Sequence, residues 1–445
     1  MGEATLGRKE PNGSPADPAG ENQPVGIPRV ITAERRQVEL RPCDLDSLLA
    51  PAHRARAIWD IVERLDLAAF YAPIRARGAE PGRPATDPKV LIALWLYATM
   101  DGIGSARELA RLCDAHDAYR WLRGGVPINY HTLSDFRTGH AQALDELLTQ
   151  VLAALTKAGL LQLKRVAQDG TRVRASAGTS SFHRQPRLEQ CLELARQYVA
   201  EVKATGERAD GERRAQEQAA RERAARDRAA RVEHALEELE KVKAMRAQQR
   251  GGKRSKGEPR ASTTDPEART MRLGDGGYGP AYNVQLATDT TSRVIVGVQV
   301  TNAGTDGGQA EPMLKEIERR TGQRPAEYLV DGGYATEASV EEVSRQGITL
   351  YAPPPHPKAI ADPHAPRPHD SPEVAAWRQR MGQTEAQVIY RDRAATAETV
   401  NADLKTWRTL DRFLVRGVRK TLSVALWNVL TYNILRWMTL AGAPA

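Results

Sequence analysis

Cysteine is nearly absent. The 445 residues contain three, Cys43, Cys113 and Cys191, far apart and with no CxxC pair. That spacing excludes a disulfide framework and the common structural zinc motifs, and it fits a reducing cytosol. Aromatic residues make up only 5%, so alanine, leucine and valine must fill most of the core. The polar stretch 1–23 has no apolar signal core. The longest apolar stretch, 421–443, is broken by Asn428, Asn433 and Arg436, so it reads as a buried amphipathic helix rather than a membrane span. Nucleotide-binding loops are missing too. Asp275-Gly276-Gly277-Tyr278-Gly279 is glycine-rich but has no following Lys-Ser/Thr and no GxGxxG context. His356, His364 and His369 are spaced by eight and five residues, which matches no tight zinc motif.

What remains is a long chain with a globular composition: 41% hydrophobic with 35 glycines, enough for about three domains' worth of core. Lys+Arg 64 against Asp+Glu 56 leaves +8, and this sign favours a polyanionic partner. Residues 1–38 read as a disordered leader. Residues 39–160 read as an all-helical domain. Ile58, Ile61, Val62 and Leu65 fall at helical spacing, and Asp87 and Pro88 would cap and open a long apolar helix. Short helices follow at 105–113, 116–122 and 132–138. Such a set suits a DNA-reading module of helix-turn-helix type, ahead of the plainer alternative of a helical packing or dimerisation domain.

Residues 161–440 read as α/β. A strand at 163–175 ends near Asp169 and gives way to a tight turn. A helical arm at about 185–260 follows, interrupted at Gly206 and Gly211. Residues 201–260 hold 17 basic and 12 acidic residues, a balance of +5; a solvated coiled coil with i,i+4 pairs explains this as well as DNA contact does. Gly251-Gly252-Lys253-Arg254-Ser255-Lys256 reads as a flexible basic loop. A hairpin at 281–300 follows, then a helix, an apolar strand at 328–331, another helix, a strand at 348–352, a Pro/His loop and C-terminal helices. This order is an α/β domain interrupted by a helical insertion.

Asp169 and Asp331 each precede glycine at an expected strand end. Neighbouring strands would bring both carboxylates to one edge, and two close carboxylates repel unless a cation lies between them. Mg²⁺ suits that arrangement and leaves positions for phosphate oxygens. A third acid should come from the helix after 385, with Glu385, Asp392, Glu398 and Asp403 as candidates. On one continuous helix from Tyr390 to Lys405, Glu398 falls at ~80°, Lys405 at ~60° and Arg393 at ~−60°, with Asp392 and Asp403 opposite. Asp289 and Asp306 suit turn and helix-cap roles, and Trp407, Trp427 and Trp437 suit helix packing.

The segment Tyr390-x2-Arg393-x4-Glu398-x6-Lys405 resembles the Tyr-Arg-Glu-Lys signature of bacterial insertion-sequence DDE transposases, some of which have three residues between Arg and Glu instead of four. Asp169-Gly170-Thr171 and Leu329-Val330-Asp331-Gly332-Gly333-Tyr334 resemble that family's first two acidic motifs. Gly82-Arg83-Pro84-Ala85 with Asp87-Pro88, and Tyr130-His131-Thr132-Leu133-Ser134-Asp135-Phe136-Arg137, resemble its preceding helical domain. The resemblance covers about 40–440. It implies an RNase H-like mixed-sheet core in which Asp169, Asp331 and Glu398 hold two Mg²⁺ or Mn²⁺ ions. It further implies DNA-contacting roles for Tyr390, Arg393 and Lys405. The implied activity is binding of terminal inverted repeats, strand cleavage and strand transfer. The implied partners are double-stranded DNA, as transposon ends and target, and further copies of the chain in a homodimer or larger synapse, in a bacterial cytoplasm at the nucleoid and not at a membrane. Two rivals are a catalytically silent transposase-derived DNA-binding protein and a metal nuclease of the same fold that cuts without joining.

Overall fold

The computed structural model describes residues 44–78, 84–206, 212–248, 257–356 and 362–442. The leader at 1–38, Cys43, Gly82, Arg83, Gly211, the basic loop at 251–256 and part of the Pro/His loop lie outside the described residues.

Seven helices open the described chain: α1 (Arg54–Glu63), α2 (Ala68–Tyr71), α3 (Pro88–Met100), α4 (Ala106–Ala115), α5 (Asp117–Arg123), α6 (Tyr130–Gly139) and α7 (Ala141–Lys157). Local chemistry sets their ends. The Asp87 carboxylate accepts from the Lys89 N–H at 2.9 Å, and Pro88 opens α3, as its sequence predicts. Ser105 and Asn129 cap α4 and α6 in the same way. The run Val90–Met100 is buried all round, so α3 is the axis around which the shorter helices pack.

The sheet follows. β1 (Arg165–Arg174) is continuous through Asp169 and Gly170; the expected strand end and tight turn at this point are absent, because the β-ladder to the next long strand extends on both sides of Asp169. The short β2 (Phe182–His183) leads to the arm helices α8 (Gln185–Gly206) and α9 (Glu212–Gln248), packed against each other. Beyond the arm come β3 (Ala261–Ser262), which pairs with β2, then β4 (Arg269–Arg272), β5 (Tyr278–Asp289), β6 (Ile295–Thr301), α10 (Ala310–Thr321), β7 (Glu327–Leu329), α11 (Glu337–Arg345) and β8 (Thr349–Tyr351). The sheet order is β4-β5-β1-β7-β8, with β6 also on β5. β5 is antiparallel to β1, β4 and β6, whereas β7 and β8 run parallel to β1. The order β6-β5-β1-β7-β8 is that of an RNase H-like mixed sheet, the α/β class expected.

The C-terminal helices are α12 (Pro372–Met381), α13 (Thr384–Arg393), α14 (Thr399–Trp407) and α15 (Val418–Leu440). A π-helical turn, Ala394–Glu398, joins α13 to α14. The single α-helix expected over Tyr390–Lys405 is therefore corrected: one turn within it holds an extra residue. α15 is buried along most of its length and packs against α3, α6, α7 and β6. Its Asn433 amide clamps the backbone of Ile295, donating to the carbonyl at 2.8 Å and accepting from the N–H at 2.9 Å. No helix among the described residues is long and apolar enough to cross a membrane. One apolar core runs from α1 through α15 to β8, so the N-terminal helices share their interior with the sheet.

Candidate active site

Three parallel pairs, Arg165↔Glu327, Val166↔Tyr328 and Ala167↔Leu329, fix β1 against β7. The offset in each pair equals that between Asp169 and Asp331. Two residues beyond the ladder, the two aspartates therefore stand level. The chain turns sharply after Asp331: the Tyr334 N–H donates to the Asp331 carbonyl at 3.0 Å. A Cβ at Gly332 would sit 3.2 Å from the Pro353 carbonyl oxygen, so a larger residue would crowd the turn where it passes Pro353. Tyr334 is buried and donates to Gln285 Oε1 at 2.5 Å, anchoring the turn to β5.

Arg393, the last residue of α13, lies between the two acids. Its Nη2 is 3.1 Å from Asp169 Oδ1 and 3.9 Å from Asp331 Oδ2. Asn401 Nδ2 donates to the other Asp169 oxygen at 2.9 Å. Burial pushes the Asp169 carboxyl above the usual carboxylate range, against the pull of Arg393. Burial also works against the charge on Arg393, but Asp169, Tyr390, Asp331 and Glu398 outweigh it and raise its pKa. Asp331 is the open member of the pair, with 61% of its side chain exposed.

Glu398 is exposed at the end of the π-helical turn, within electrostatic reach of Arg393. The turn has a physical reason to be there. In an α-helix, residues four apart share a face and residues five apart do not. An i→i+5 turn absorbs one more residue, and across it Glu398 acts on the charge of Arg393, five residues before it. Two of the three competing acids are engaged elsewhere: Asp392 is bound by Arg165, which also holds Glu327 at 2.5 Å, and Asp403 accepts from Arg408 at 3.1 Å; Glu385 is exposed in the first turn of α13. Lys405 is half-buried; burial lowers its pKa, and Asp169 opposes this. Burial raises the pKa of Tyr390, against Arg393.

Behind Asp169, on the opposite face of β1, lies a polar network that sequence reasoning missed. Asp306, expected as a turn or cap residue, accepts from Arg172 at 3.0 and 3.1 Å, from Asn283 at 2.8 Å and from Gln285 at 2.7 Å. A Cβ on Gly170 would stand 2.4 Å from both Asp306 Oδ1 and Gln285 Nε2. The glycine after Asp169 is therefore the space through which Asp306 reaches β5. Asn401 was also missed; its signal was its place four residues before Lys405 and three after Glu398. Trp407 departs from its expected packing role, being 64% exposed, because α14 ends there and turns it outward. Trp427 is buried as expected.

Carboxylate oxygens are the hard donors that Mg²⁺ and Mn²⁺ prefer, so the donor set fits such ions in kind. Asp169 and Asp331 also fit in place, since a cationic group, the Arg393 guanidinium, already bridges them. Among the described residues, however, no three His, Cys, Asp or Glu side chains stand close enough to hold a metal ion; Glu398 remains outside the pair.

Comparison with protein families matches residues 260–434 to a Transposase DDE domain and residues 43–139 to a Transposase domain (DUF772). The first match begins after the arm, so it contains Asp331 and Glu398 but not Asp169. No curated protein and no solved structure matches the chain. Enzymes with the DDE domain act on DNA and generally use divalent metal ions. With one transposase domain over the N-terminal helices and the other over most of the RNase H-like sheet and its C-terminal helices, the chain belongs to the insertion-sequence DDE transposases.

Proposed function

We propose that this transposase binds the terminal inverted repeats of its element, cleaves at their ends and transfers the strands to target DNA, with Asp169, Asp331 and Glu398 holding Mg²⁺ or Mn²⁺ as a two-ion set. The observation that carries the reading is the level placement of Asp169 and Asp331, with Arg393 between them; Glu398, which acts on the charge of Arg393, is the third acid of this reading. Bound divalent ions supply Lewis acidity, lowering the pKa of the attacking water or 3′-hydroxyl and neutralising charge on the phosphate.

The chain's own residues do the positioning. Asn401 fixes the rotamer of Asp169. Arg393 and Lys405 present cations to the scissile phosphate, and both stand close enough to Asp169 to feel its charge. Tyr390, half-buried beside them, bounds the place where a DNA end enters. Two ends must be cut together, so the working form is a dimer or larger synapse.

The test is cleavage of duplexes carrying the element's own ends with Mg²⁺ or Mn²⁺, comparing wild type with Asp169→Ala, Asp331→Ala and Glu398→Ala. The expected result is end cleavage and joined products by wild type, and binding without cleavage by each variant. Wild-type binding without cleavage in either metal would reject the catalytic reading and leave a DNA-binding protein; cleavage without joined products would leave a nuclease.

A further inference from the structure

The root of the arm carries a second basic feature. Arg228 and Arg231 stand one turn apart on α9. Across from them lie the turn after β3, with Thr263 and Thr264, and the loop before α15, with Arg412 and Arg416. These elements enclose a cavity of about 260 Å³ that includes Arg228, Arg231, Thr264 and Arg416. An adjoining hollow of about 410 Å³ shares Thr264 and Arg416 and adds Arg412 and Ser176. No carboxylate among the described residues lines either one.

Several arginines elsewhere on the surface lie against a carboxylate: Arg111 against Glu108, Arg120 against Asp117, Arg226 against Glu222 and Arg345 against Glu342. Arg228, Arg231, Arg412 and Arg416 make no ion pair among the described residues. Asp265, the acid that acts on Arg416 from below, is buried and already accepts from Tyr282 Oη at 2.8 Å and from the Gly417 N–H at 3.1 Å.

The walls are fixed. The Phe413 N–H donates to the Arg174 carbonyl at 2.8 Å, tying the loop to the end of β1. The Thr263 N–H donates to the Ser181 carbonyl at 3.0 Å, and Arg416 Nε to the Ser176 carbonyl at 3.3 Å. Four unneutralised guanidinium groups with threonine and serine hydroxyls between them form a site for consecutive phosphates. Ser176 lies no more than roughly 23 Å of extended chain from Asp169, the length of about seven base pairs.

The geometry points to a DNA-backbone groove at the arm root, in which Arg228, Arg231, Arg412 and Arg416 grip phosphates of the duplex whose end lies at the acids. The inference rests on the transposase reading but not on its chemistry, because the groove works without metal. The test is fluorescence anisotropy in EDTA with labelled duplexes of about 30 base pairs, one carrying the element's end and one of random sequence.

Each neutral pair, Arg228→Gln/Arg231→Gln and Arg412→Gln/Arg416→Gln, should weaken binding to both duplexes. Each should also flatten the plot of log affinity against log salt by about two units, roughly one for each phosphate that is no longer neutralised. The matching Lys pairs should keep the slope. Thr264→Glu, which adds a carboxylate to the wall and removes no arginine, should weaken binding in the same direction. Unchanged slopes in both Gln pairs, with unfolding temperatures equal to wild type, would overturn the groove. Failure of the catalytic proposal would look different: no cleavage with metal, while the wild-type slope and its flattening in the Gln pairs persist.

Discussion

Arg393 is the residue on which the site turns. It lies between two carboxylates. If those carboxylates hold a divalent ion as proposed, metal and guanidinium compete, so Arg393→Gln should bind Mn²⁺ more tightly than wild type, read by titration calorimetry or by loss of the free-ion EPR signal; equal or weaker binding would refute the competition. Gly170 is constrained from the other side. Gly170→Ala sets a methyl group against Asp306 and Gln285, and overpacking of this kind costs about 1–3 kcal/mol, measurable as a lower urea midpoint. Asp306 also predicts a pH effect. Burial opposes its ionisation, but Arg172, Asn283 and Gln285 outweigh burial and hold its pKa below 3.8. A depressed folded pKa contributes stability that is present above the unfolded value and lost as pH falls through the folded one. Asp306→Asn should therefore flatten the decline of the urea midpoint between about pH 5 and about pH 2.

At the scale of elements, the π-helical turn is the departure from regular structure on which the proposed third acid depends. It absorbs the fourth residue between Arg393 and Glu398. Deleting Ala395 should convert the turn to α-helix, restore an i,i+4 relation and keep metal-dependent cleavage. Deleting Ala402 within α14 rotates Lys405 away and should abolish it. The same loss in both deletions, with both proteins folded, would show that the phasing does not matter. α12 shows a different device. Arg378 and Asp370, whose side chains are 1% and 3% exposed, pair at 2.8 Å and pin the end of the Pro/His segment to the helix. Asp370→Ala would leave the buried guanidinium with only the exposed Glu337, 3.3 Å from its Nη2, so it should cost about 3 kcal/mol.

At the scale of the molecule, α15 binds the N-terminal helices to the sheet. It touches α3, α6, α7 and β6 at once, and Asn433 bonds both the N–H and the carbonyl of Ile295 at the start of β6. Asn433→Leu would leave the Ile295 N–H and carbonyl buried without partners, a loss of about 2–4 kcal/mol over the two groups. Because the core is continuous, calorimetry should show the helical region and the sheet unfolding in one transition, which Asn433→Leu shifts as a whole. Two transitions, of which only one moves, would indicate independent domains.

Much of this was legible in the sequence because it is local. The Asp87-Pro88 start of α3, the β5–β6 hairpin, the buried helix at the C-terminus and the acids in signature order are patterns of neighbouring residues, where period and capping chemistry act over a few bonds. Pairings across the chain were not legible. The β1–β7 register that sets Asp169 level with Asp331, the placement of Arg393 between them and the Arg172–Asp306 network behind Gly170 join segments more than a hundred residues apart. The continuation of β1 through Asp169 depends on β5 as its partner. The π-helical turn came from a spacing the sequence displays, but its effect depends on which face the sheet offers. The order of the acids belongs to the sequence alone. The meeting of Asp169 and Asp331 belongs to the tertiary structure, because only ladder registers and packed side chains decide which distant groups share a place.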